Sequence, residues 1–293
     1  MKNLEGIITK GIGGFYYVET SGSKIYECKA RGIFRKREIS PCVGDRVVIS
    51  ANEDGFSSIE EILERKNHLI RPPVSNIDRL FIVVSTCHPK PNFLVIDKMI
   101  SIATYKKIEP ILVVSKIDLK DGDDIYDIYN HSLIKSIKFS AKTGHGKEEV
   151  RSLIKPGINV FTGNSGVGKS SLLNILYPGL SLKTGVTSKK LDRGKHTTRH
   201  VELFKFGEDT YLADTPGFSM IDIQRFENIK KEDLAECFLE FEPYINNCKF
   251  NSCSHTCEKG CAVIEALENG KIEKSRHASY FAMYNELKEI HTW

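Results

Sequence analysis

The sequence has no long apolar run, so it predicts no membrane-spanning helix. A span needs about 18 predominantly apolar residues in a row, and no stretch among the 293 residues approaches that length. The first 14 residues alternate in character and include Glu5, so we expect neither a signal peptide nor an anchor. With 40% hydrophobic and 27% charged residues, the composition is typical of a soluble globular protein, and we expect a cytoplasmic location without membrane contact.

The sequence also lacks a large net charge and an even spread of cysteines. A net charge of +4 is common among soluble enzymes and does not by itself indicate a nucleic-acid partner. Four of the eight cysteines fall between Cys248 and Cys261, and the others are scattered. This distribution indicates a metal site in a reducing compartment rather than a disulfide framework.

The most informative segment that is present is a phosphate-binding loop. The eight residues Gly163–Ser170 fit the pattern GxxxxGK[ST] without a mismatch, an apolar stretch precedes them, and a helix-like stretch follows them. Glycines let backbone N–H groups surround a phosphate, Lys169 adds a full positive charge, and the Ser170 hydroxyl suits magnesium. The loop predicts a nucleoside triphosphate site but does not choose between ATP and GTP.

The length predicts two or three domains. Short strands separated by Gly, Ser, Asn and Asp predict a small barrel of the oligonucleotide-binding (OB) type for the first part. These strands are Glu5–Thr9, Phe15–Thr20, Lys24–Lys29, Arg46–Ser50 and Ser57–Ile62.

A basic loop follows the third strand of the predicted barrel. Cys28–Arg37 contains five basic residues around Phe34. Such a loop suits RNA, because Lys and Arg neutralise phosphates while Phe34 or the cluster Phe15–Tyr17 offers stacking faces. A solvated loop with its aromatic residues in the barrel core is an equally good interpretation.

The segment Arg71–Asn76 contains two prolines and predicts a linker into a second domain. Beyond it, strands separated by helices predict a parallel sheet covered on both faces, with ligands at the carboxyl ends of the strands. The predicted elements are Leu80–Ser85, the helix Phe93–Tyr105, Ile111–Val114, Ile137–Ser140 and Ile158–Thr162.

Two of these strand ends carry side chains suited to guanine. Ser115-Lys116-Ile117-Asp118 places a carboxylate where it can accept both N–H donors of a guanine edge, and adenine lacks that pair. Ser140-Ala141-Lys142 follows the next strand and can present a backbone N–H to the guanine carbonyl. Each motif alone is weak, but together they predict GTP.

Two further motifs follow the phosphate-binding loop. The polar segment Gly194–His200 offers Thr197 and Thr198, one of which is expected to complete magnesium coordination, and we assign Thr198. Tyr211–Gly217 predicts a strand that ends in Asp-x-x-Gly. There Asp214 would hold the ion through water, and the Gly217 N–H would meet the γ-phosphate.

The cysteine cluster has the composition of a structural zinc site. Three thiolates and one imidazole suit tetrahedral zinc, and four protein ligands leave no open position for catalysis. Cys257 is a surplus thiol that competes with His255 for a place among the ligands. After the cluster, a helix Ala262–Asn269 and an apolar helical stripe from Tyr280 to Leu287 predict packing rather than chemistry.

In this order the motifs resemble the RsgA or YjeQ family, the small-subunit-dependent GTPases of bacteria. The resemblance covers nearly the whole chain and rests on Gly163–Ser171, Gly194–Thr198, Asp214–Phe218 and Cys248–Cys261. The guanine motifs precede the phosphate-binding loop, so the GTPase domain looks circularly permuted. One position departs from the family, because Ser115 stands where the guanine motif usually begins with Asn.

The resemblance implies three domains: an OB-fold ribosome-binding domain at 1–71, a permuted GTPase domain at 72–221 and a zinc-binding domain at 222–293. It implies a GTPase that binds the small (30S) ribosomal subunit and its rRNA, acts in late maturation, is stimulated by the subunit and leaves after hydrolysis. A monomer is expected. The zinc ligands that the resemblance favours are Cys248, Cys253, His255 and Cys261.

The predicted catalytic machinery has one gap. Ras-like GTPases follow Asp-x-x-Gly with a Gln that orients the attacking water, and here the residue is Phe218. We therefore expect slow intrinsic hydrolysis and a partner that completes the site. His196 is the candidate for positioning water, with a loop histidine that binds RNA phosphate as the alternative.

The sequence thus predicts a GTP site, a magnesium site and three catalytic residues, Lys169, His196 and Thr198. Magnesium is assigned to Ser170 and Thr198. The GTP-binding residues are Ser115, Lys116, Asp118, Ser140, Ala141, Lys142, Gly163, Asn164, Ser165, Gly166, Val167, Gly168, Lys169, Ser170, Ser171, Thr197, Thr198, Asp214 and Gly217. A second basic segment, Lys183–Arg199, is also predicted to bind RNA. The alternatives are a non-catalytic RNA-binding module that carries a nucleotide and an ATP-dependent enzyme, against which Asp118 argues.

Overall fold

The computed structural model describes residues 2–32, 34, 39–52, 55–180, 201–215 and 229–289. These residues fall into two compact units, which we describe separately. The first unit contains the described residues of 1–78, 154–161 and 183–216, and the second contains those of 79–153, 162–182 and 217–293.

The first unit begins with a closed five-stranded barrel in the order β1-β2-β3-β5-β4. Its strands are β1 (Lys2–Ile12), β2 (Phe15–Thr20), β3 (Ile25–Ala30), β4 (Arg46–Ala51) and β5 (Ser57–Ile62). The predicted OB-type barrel is confirmed. Strand β1 is longer than expected because it pairs with both β2 and β4 along its length.

The barrel encloses one hydrophobic cluster, which decides between the two interpretations of Phe34. The buried members are Ile8, Val18, Cys28, Phe34, Val47, Ile49 and Ile59. Phe34 is only 6% exposed, so it stabilises the barrel and offers no face for RNA stacking. Tyr16 is half-buried against the same cluster.

The predicted linker Arg71–Asn76 is wrong in its second half. Strand β7 (Val74–Ser75) pairs with β6 (His68–Leu69), and both of its residues are fully buried. The Ser75 N–H donates to Val43 O at 2.9 Å, and Asn76 Nδ2 donates to Gly44 O at 2.9 Å. Buried backbone groups require such partners. Residues 74–76 therefore pack against Val43 and Gly44, which precede β4, and do not form a free linker.

Three further strands complete the first unit: β11 (Gly157–Thr162), β12 (Leu203–Gly207) and β13 (Thr210–Asp214). They lie in the order β11-β13-β12. β11 and β13 are parallel, as the sequence predicts for a sheet of this class, whereas β12 is antiparallel to β13. A tight turn joins β12 to β13, and only an antiparallel pair can be joined that way.

The second unit contains three parallel strands in the order β10-β9-β8. They are β8 (Ile77–Ser85), β9 (Glu109–Ser115) and β10 (Lys135–Phe139), and the core of each is buried. The helices are α1 (Phe93–Tyr105), α2 (Asp123–His131), α3 (Lys147–Leu153) and α4 (Lys169–Leu176). α1 has the predicted bounds, while α2 and α3 were not predicted.

The C-terminal part of the second unit consists of short 3₁₀ turns and two helices, α5 (Ala262–Glu268) and α6 (Lys274–Lys288). Tyr280, Met283 and Leu287 of α6 are buried, which confirms that this stripe serves packing. Tyr280 contacts the rings of Phe238 and Phe241 at centroid distances of 5.3 and 5.0 Å. Among the residues that the structure describes, no helix has the length and hydropathy that a membrane span needs.

Candidate functional site: a nucleotide loop, a guanine edge and a Cys/His cluster

The predicted phosphate-binding loop connects the end of β11 to the start of α4. Gly163 lies where a Cβ atom would approach Val83 O to 2.4 Å, so no larger residue fits without a shift. Gly168 adopts φ +98° at the N-terminus of α4, a conformation that L side chains rarely take. The strand, loop and helix therefore occur as the sequence indicates, and the loop ends at a helix N-terminus that favours anions.

Two residues at the carboxyl end of β9 bind the main chain of this loop. Ser115 Oγ lies 2.5 Å from Val167 O and 2.9 Å from Val84 O. Lys116 adopts φ +62°, and its Nζ donates to Gly166 O at 2.6 Å and to His88 O. The fold therefore brings the first half of the guanine motif against the phosphate-binding loop.

Asp118, the last residue of the guanine motif, is hydrogen-bonded to Ser140 at the end of β10. Ser140 is fully buried, and its Oγ donates to Asp118 Oδ1 at 2.6 Å. Asp118 itself is exposed, as are Ala141 and Lys142. A carboxylate held at one oxygen and open to solvent is oriented to accept hydrogen bonds from a guanine edge.

The remaining predicted GTP-binding residues are divided between described and undescribed parts of the chain. Asp214 is the last residue of β13, and the adjacent Thr215 is tied to Phe161 O through its N–H at 3.1 Å and its Oγ1 at 3.0 Å. His196, Thr197, Thr198 and Gly217 lie outside the described residues, as does the basic segment 183–199. Their roles stay predictions.

The four residues predicted to bind zinc lie together. One ligand atom from each of Cys248, Cys253, His255 and Cys261 lies within 4.8 Å of the others, and the group could hold a metal ion. His255 Nδ1 is 3.4 Å from Cys248 Sγ and 3.5 Å from Cys261 Sγ. Cys257, the surplus thiol, is exposed and is not a member of the group.

The donor set fits a divalent cation. Burial and the neighbouring thiols raise the pKa of Cys253 to about 12, although a hydrogen bond from the His255 backbone opposes the shift. Burial lowers the pKa of His255. Burial thus disfavours the Cys253 thiolate on its own and favours the neutral imidazole of His255, and a cation would stabilise the thiolate.

Three side chains outside the cluster organise its loop: Glu258, His277 and Tyr280. The Glu258 carboxylate accepts from the N–H groups of Ser254 at 2.7 Å, Thr256 at 3.1 Å and Cys257 at 3.2 Å. Although burial raises the pKa of Glu258, hydrogen bonds from the Ser254 hydroxyl and from the backbone N–H groups of Ser254, Glu258 and Cys257 lower it to about 2.

The other two side chains come from α6 and contact the backbone beside the histidine ligand. His277 Nε2 is 2.9 Å from His255 O, and Tyr280 OH donates to Ser254 O at 2.7 Å. His255 has a positive φ of 56°, which is unusual for a residue with a side chain. These contacts hold that conformation, and they join residues far apart in the sequence, so no local pattern reveals them.

Family models and relatives agree with this architecture. A model of the RsgA N-terminal domain matches residues 5–59, and a model of the RsgA GTPase matches residues 62–224. The "Small ribosomal subunit biogenesis GTPase RsgA" of Caldanaerobacter subterraneus subsp. tengcongensis is 44% identical, with 99% of this chain and 97% of that protein covered. The protein of the same name from Ruminiclostridium cellulolyticum is 42% identical, with coverages of 97% and 94%.

Two solved structures are also similar over almost their full length. YjeQ from Thermotoga maritima has a TM-score of 0.82 at 36% identity, with 99% of this chain and 100% of that chain covered. YloQ, described as a circularly permuted GTPase, has a TM-score of 0.79 at 33% identity, with coverages of 98% and 96%. The chain therefore belongs to the RsgA family of GTPases.

Proposed function

We propose that the protein is a GTPase that binds the small (30S) ribosomal subunit and acts in its late maturation. The subunit stimulates hydrolysis, and the protein leaves the subunit after GTP is hydrolysed. Relatives at 44% and 42% identity carry the name of a small-subunit biogenesis GTPase. The high identity over whole chains supports carrying that role over to this protein.

One observation carries the GTPase part of the proposal. Ser115 and Lys116 contact consecutive carbonyls of the phosphate-binding loop, and Ser140 holds Asp118 beside them. A base-recognition motif is thereby fixed to a phosphate-recognition loop, as one bound nucleotide requires. Asp118 accepts from two N–H donors of guanine, and adenine has no such pair, which favours GTP over ATP.

The roles of the site residues follow from their chemistry. Lys169 and the loop N–H groups would bind the phosphates, and the Gly217 N–H would meet the γ-phosphate. Ser170 and Thr198 would hold magnesium, and Asp214 would contribute through water. Magnesium would neutralise phosphate charge. Phe218 cannot orient the attacking water, so His196 takes that role when the subunit is bound.

Two aromatic rings and a lysine on the barrel support the proposal that the partner includes RNA. The rings of Phe15 and Phe56 lie 5.1 Å apart, and Lys29 Nζ is 5.0 and 4.4 Å from their centroids. Phe56 is 53% exposed. The exposed ring of Phe56, beside the half-buried ring of Phe15 and an ammonium, suits unpaired bases and phosphates of rRNA. Phe56→Ala should weaken binding to the small subunit, and unchanged affinity would contradict this assignment.

The remaining parts of the proposal concern organisation. The domains are 1–71 for ribosome binding, 72–221 for GTP and 222–293 for zinc. One structural zinc ion per chain is held by Cys248, Cys253, His255 and Cys261, which supply the four donors of a closed tetrahedral site. The protein acts as a cytoplasmic monomer without membrane contact.

Cosedimentation with purified small subunits tests the ribosomal role. We expect the protein to pellet with the subunit in the presence of a non-hydrolysable GTP analogue and to stay in the supernatant with GDP. Large ribosomal subunits provide the control. Equal binding to both subunits, or equal binding in both nucleotide states, would contradict a small-subunit factor that is released by hydrolysis. It would favour a general RNA-binding module that merely carries nucleotide.

A further inference from the structure

We propose that Ser115 is a positioning residue for the phosphate-binding loop and makes no contact with the guanine base. The inference rests on the proposed binding of guanine nucleotides and assigns a different task to the residue that stands in place of the usual Asn. Ser115 is the last residue of β9 and is 1% exposed. A side chain this buried has no surface to offer a base.

The proton of the Ser115 hydroxyl is already committed to the main chain. Two carbonyl oxygens, Val167 O at 2.5 Å and Val84 O at 2.9 Å, lie within hydrogen-bond distance of Oγ. A hydroxyl has a single proton, and the acceptors on the relevant edge of guanine are N7 and O6. Donation to either acceptor would leave both buried carbonyls without this donor, which is unfavourable.

The bond to Val167 O fixes the orientation of one peptide group in the loop. In a trans peptide the C=O and the following N–H point in opposite directions. Because Val167 O faces Ser115, the N–H of Gly168 faces away from it. Gly168 is the N-cap of α4, so this N–H belongs to the helix N-terminus that receives phosphate.

The preceding peptide group is fixed in a different way. Lys116 Nζ donates to Gly166 O at 2.6 Å, and the N–H of the same peptide group, on Val167, donates to Asn164 O at 3.3 Å. Adjacent residues at the end of β9 thus hold two successive loop carbonyls. Lys116 stabilises the turn of the loop, whereas Ser115 fixes the orientation of the next N–H group, that of Gly168.

The two ends of the guanine motif therefore divide the work. Asp118, oriented by Ser140 at 2.6 Å, recognises the base. Ser115 orients a backbone N–H of the phosphate site by binding Val167 O. An Asn side chain carries two donor protons and can serve the loop and the base together, but a Ser hydroxyl with one proton serves the loop alone.

Competition binding with base analogues separates these tasks. The three test ligands are GDP, 7-deaza-GDP, which lacks N7, and the diphosphate of 2-aminopurine riboside, which lacks O6. Xanthosine diphosphate and ADP are titrated as well to measure the base preference. Each is titrated against fluorescent GDP on the full-length wild type, Ser115→Ala, Asp118→Asn and Ser136→Ala. Ser136 is the matched control, because it is 2% exposed and donates to Ile134 O at 3.0 Å at the start of β10.

We expect Ser115→Ala to weaken all three ligands by the same factor, about 3- to 10-fold, since one buried hydrogen bond is lost. Ser136→Ala should leave all three affinities within about 2-fold of wild type. Asp118→Asn should weaken GDP far more than a xanthine diphosphate. Equal thermal midpoints for the two serine variants would show that the loss is local to the nucleotide site.

Two results would overturn the proposal. If Ser115→Ala weakens GDP much more than 7-deaza-GDP or the 2-aminopurine analogue, the hydroxyl contacts N7 or O6. If it weakens no ligand beyond the Ser136→Ala control, the hydroxyl does not shape the loop. Failure of the proposed function would look different, since the wild type would then show no preference for guanine over adenine diphosphate.

Discussion

Arg276 of α6 and Asp97 of α1 form an ion pair in which Nη1 lies 2.5 Å from Oδ1 and neither side chain is exposed. Glu240 accepts from Arg276 Nε at 2.7 Å, and Tyr129 OH donates to Asp97 Oδ1 at 2.9 Å. Burial raises the pKa of Asp97, and the guanidinium opposes that shift. Helix α6, which contacts the Cys/His loop, is therefore held to helices α1 and α2 by a buried network of ion pairs and hydrogen bonds.

Removal of this cation should be strongly destabilising. In Arg276→Met the carboxylates of Asp97 and Glu240 would stay buried without a positive partner, a loss of about 3 to 5 kcal/mol. Urea unfolding measures the change in the free energy of unfolding. Lys271→Met, at an exposed position, is the control and should change it by less than about 0.5 kcal/mol. A loss below about 1 kcal/mol for Arg276→Met would contradict a buried charge network.

The Cys/His cluster should hold one zinc ion per chain. Cys261→Ser removes a buried member of the cluster and should reduce zinc content well below one per chain and lower the melting temperature. Cys257→Ser alters an exposed thiol outside the cluster and should retain the metal. Metal analysis of protein purified without chelator decides the matter. Zinc loss in both variants, or in neither, would contradict the assigned ligand set.

Glu258 should make the cluster loop sensitive to acid. Its pKa in the folded protein is lowered to about 2 from the ordinary 4.5. A lowered carboxyl pKa stabilises the fold above the ordinary value, and this stabilisation is lost as the pH falls from about 5 toward 2. Glu258→Gln should therefore have a lower free energy of unfolding than wild type at pH 7, and the difference between the two should narrow below pH 4.

Chemical denaturation of the metal-free protein measures that difference without interference from proton competition at the metal ligands. Glu242→Gln is the control, because this carboxylate is exposed. A difference in the free energy of unfolding that stays constant from pH 7 to pH 3 would show that the charge of Glu258 does not contribute to stability.

Asp118 should determine the choice of base. Asp118→Asn replaces an acceptor with a donor where guanine presents N–H groups, so preference should shift from guanine to xanthine nucleotides. Nucleotide competition with GTP, XTP and ATP measures the shift. Tight ATP binding by the wild type would refute guanine recognition and favour an ATP-dependent enzyme.

Local signals predicted the barrel strands, helix α1 and the phosphate-binding loop. Phe15–Thr20, Ser57–Ile62 and Phe93–Tyr105 have the predicted bounds, because alternation, helical spacing and turn residues are properties of neighbouring residues. The individual motifs of the nucleotide site are local patterns of the same kind, and the roles of their residues stay predictions.

Two of the features that were missed, the pairing of Val74–Ser75 and the burial of Arg276, depend on packing in the folded protein. Val74–Ser75 contains nothing that predicts pairing with His68–Leu69, and two prolines nearby suggested a linker. Arg276 looks like a surface residue in sequence, and only packing against Asp97 and Glu240 makes it a buried one. Helix α2 is short, at nine residues, and only Ile125 and Tyr129 of it are buried, so its apolar stripe is a weak signal.

The rate of GTP turnover tests most directly whether this protein hydrolyses GTP in response to the small ribosomal subunit. Release of phosphate should be slow for the protein alone, because Phe218 cannot orient water, and should rise many-fold when purified small subunits are added. Large subunits should give no rise, and Lys169→Ala should abolish it. A turnover rate that small subunits leave unchanged would contradict the account.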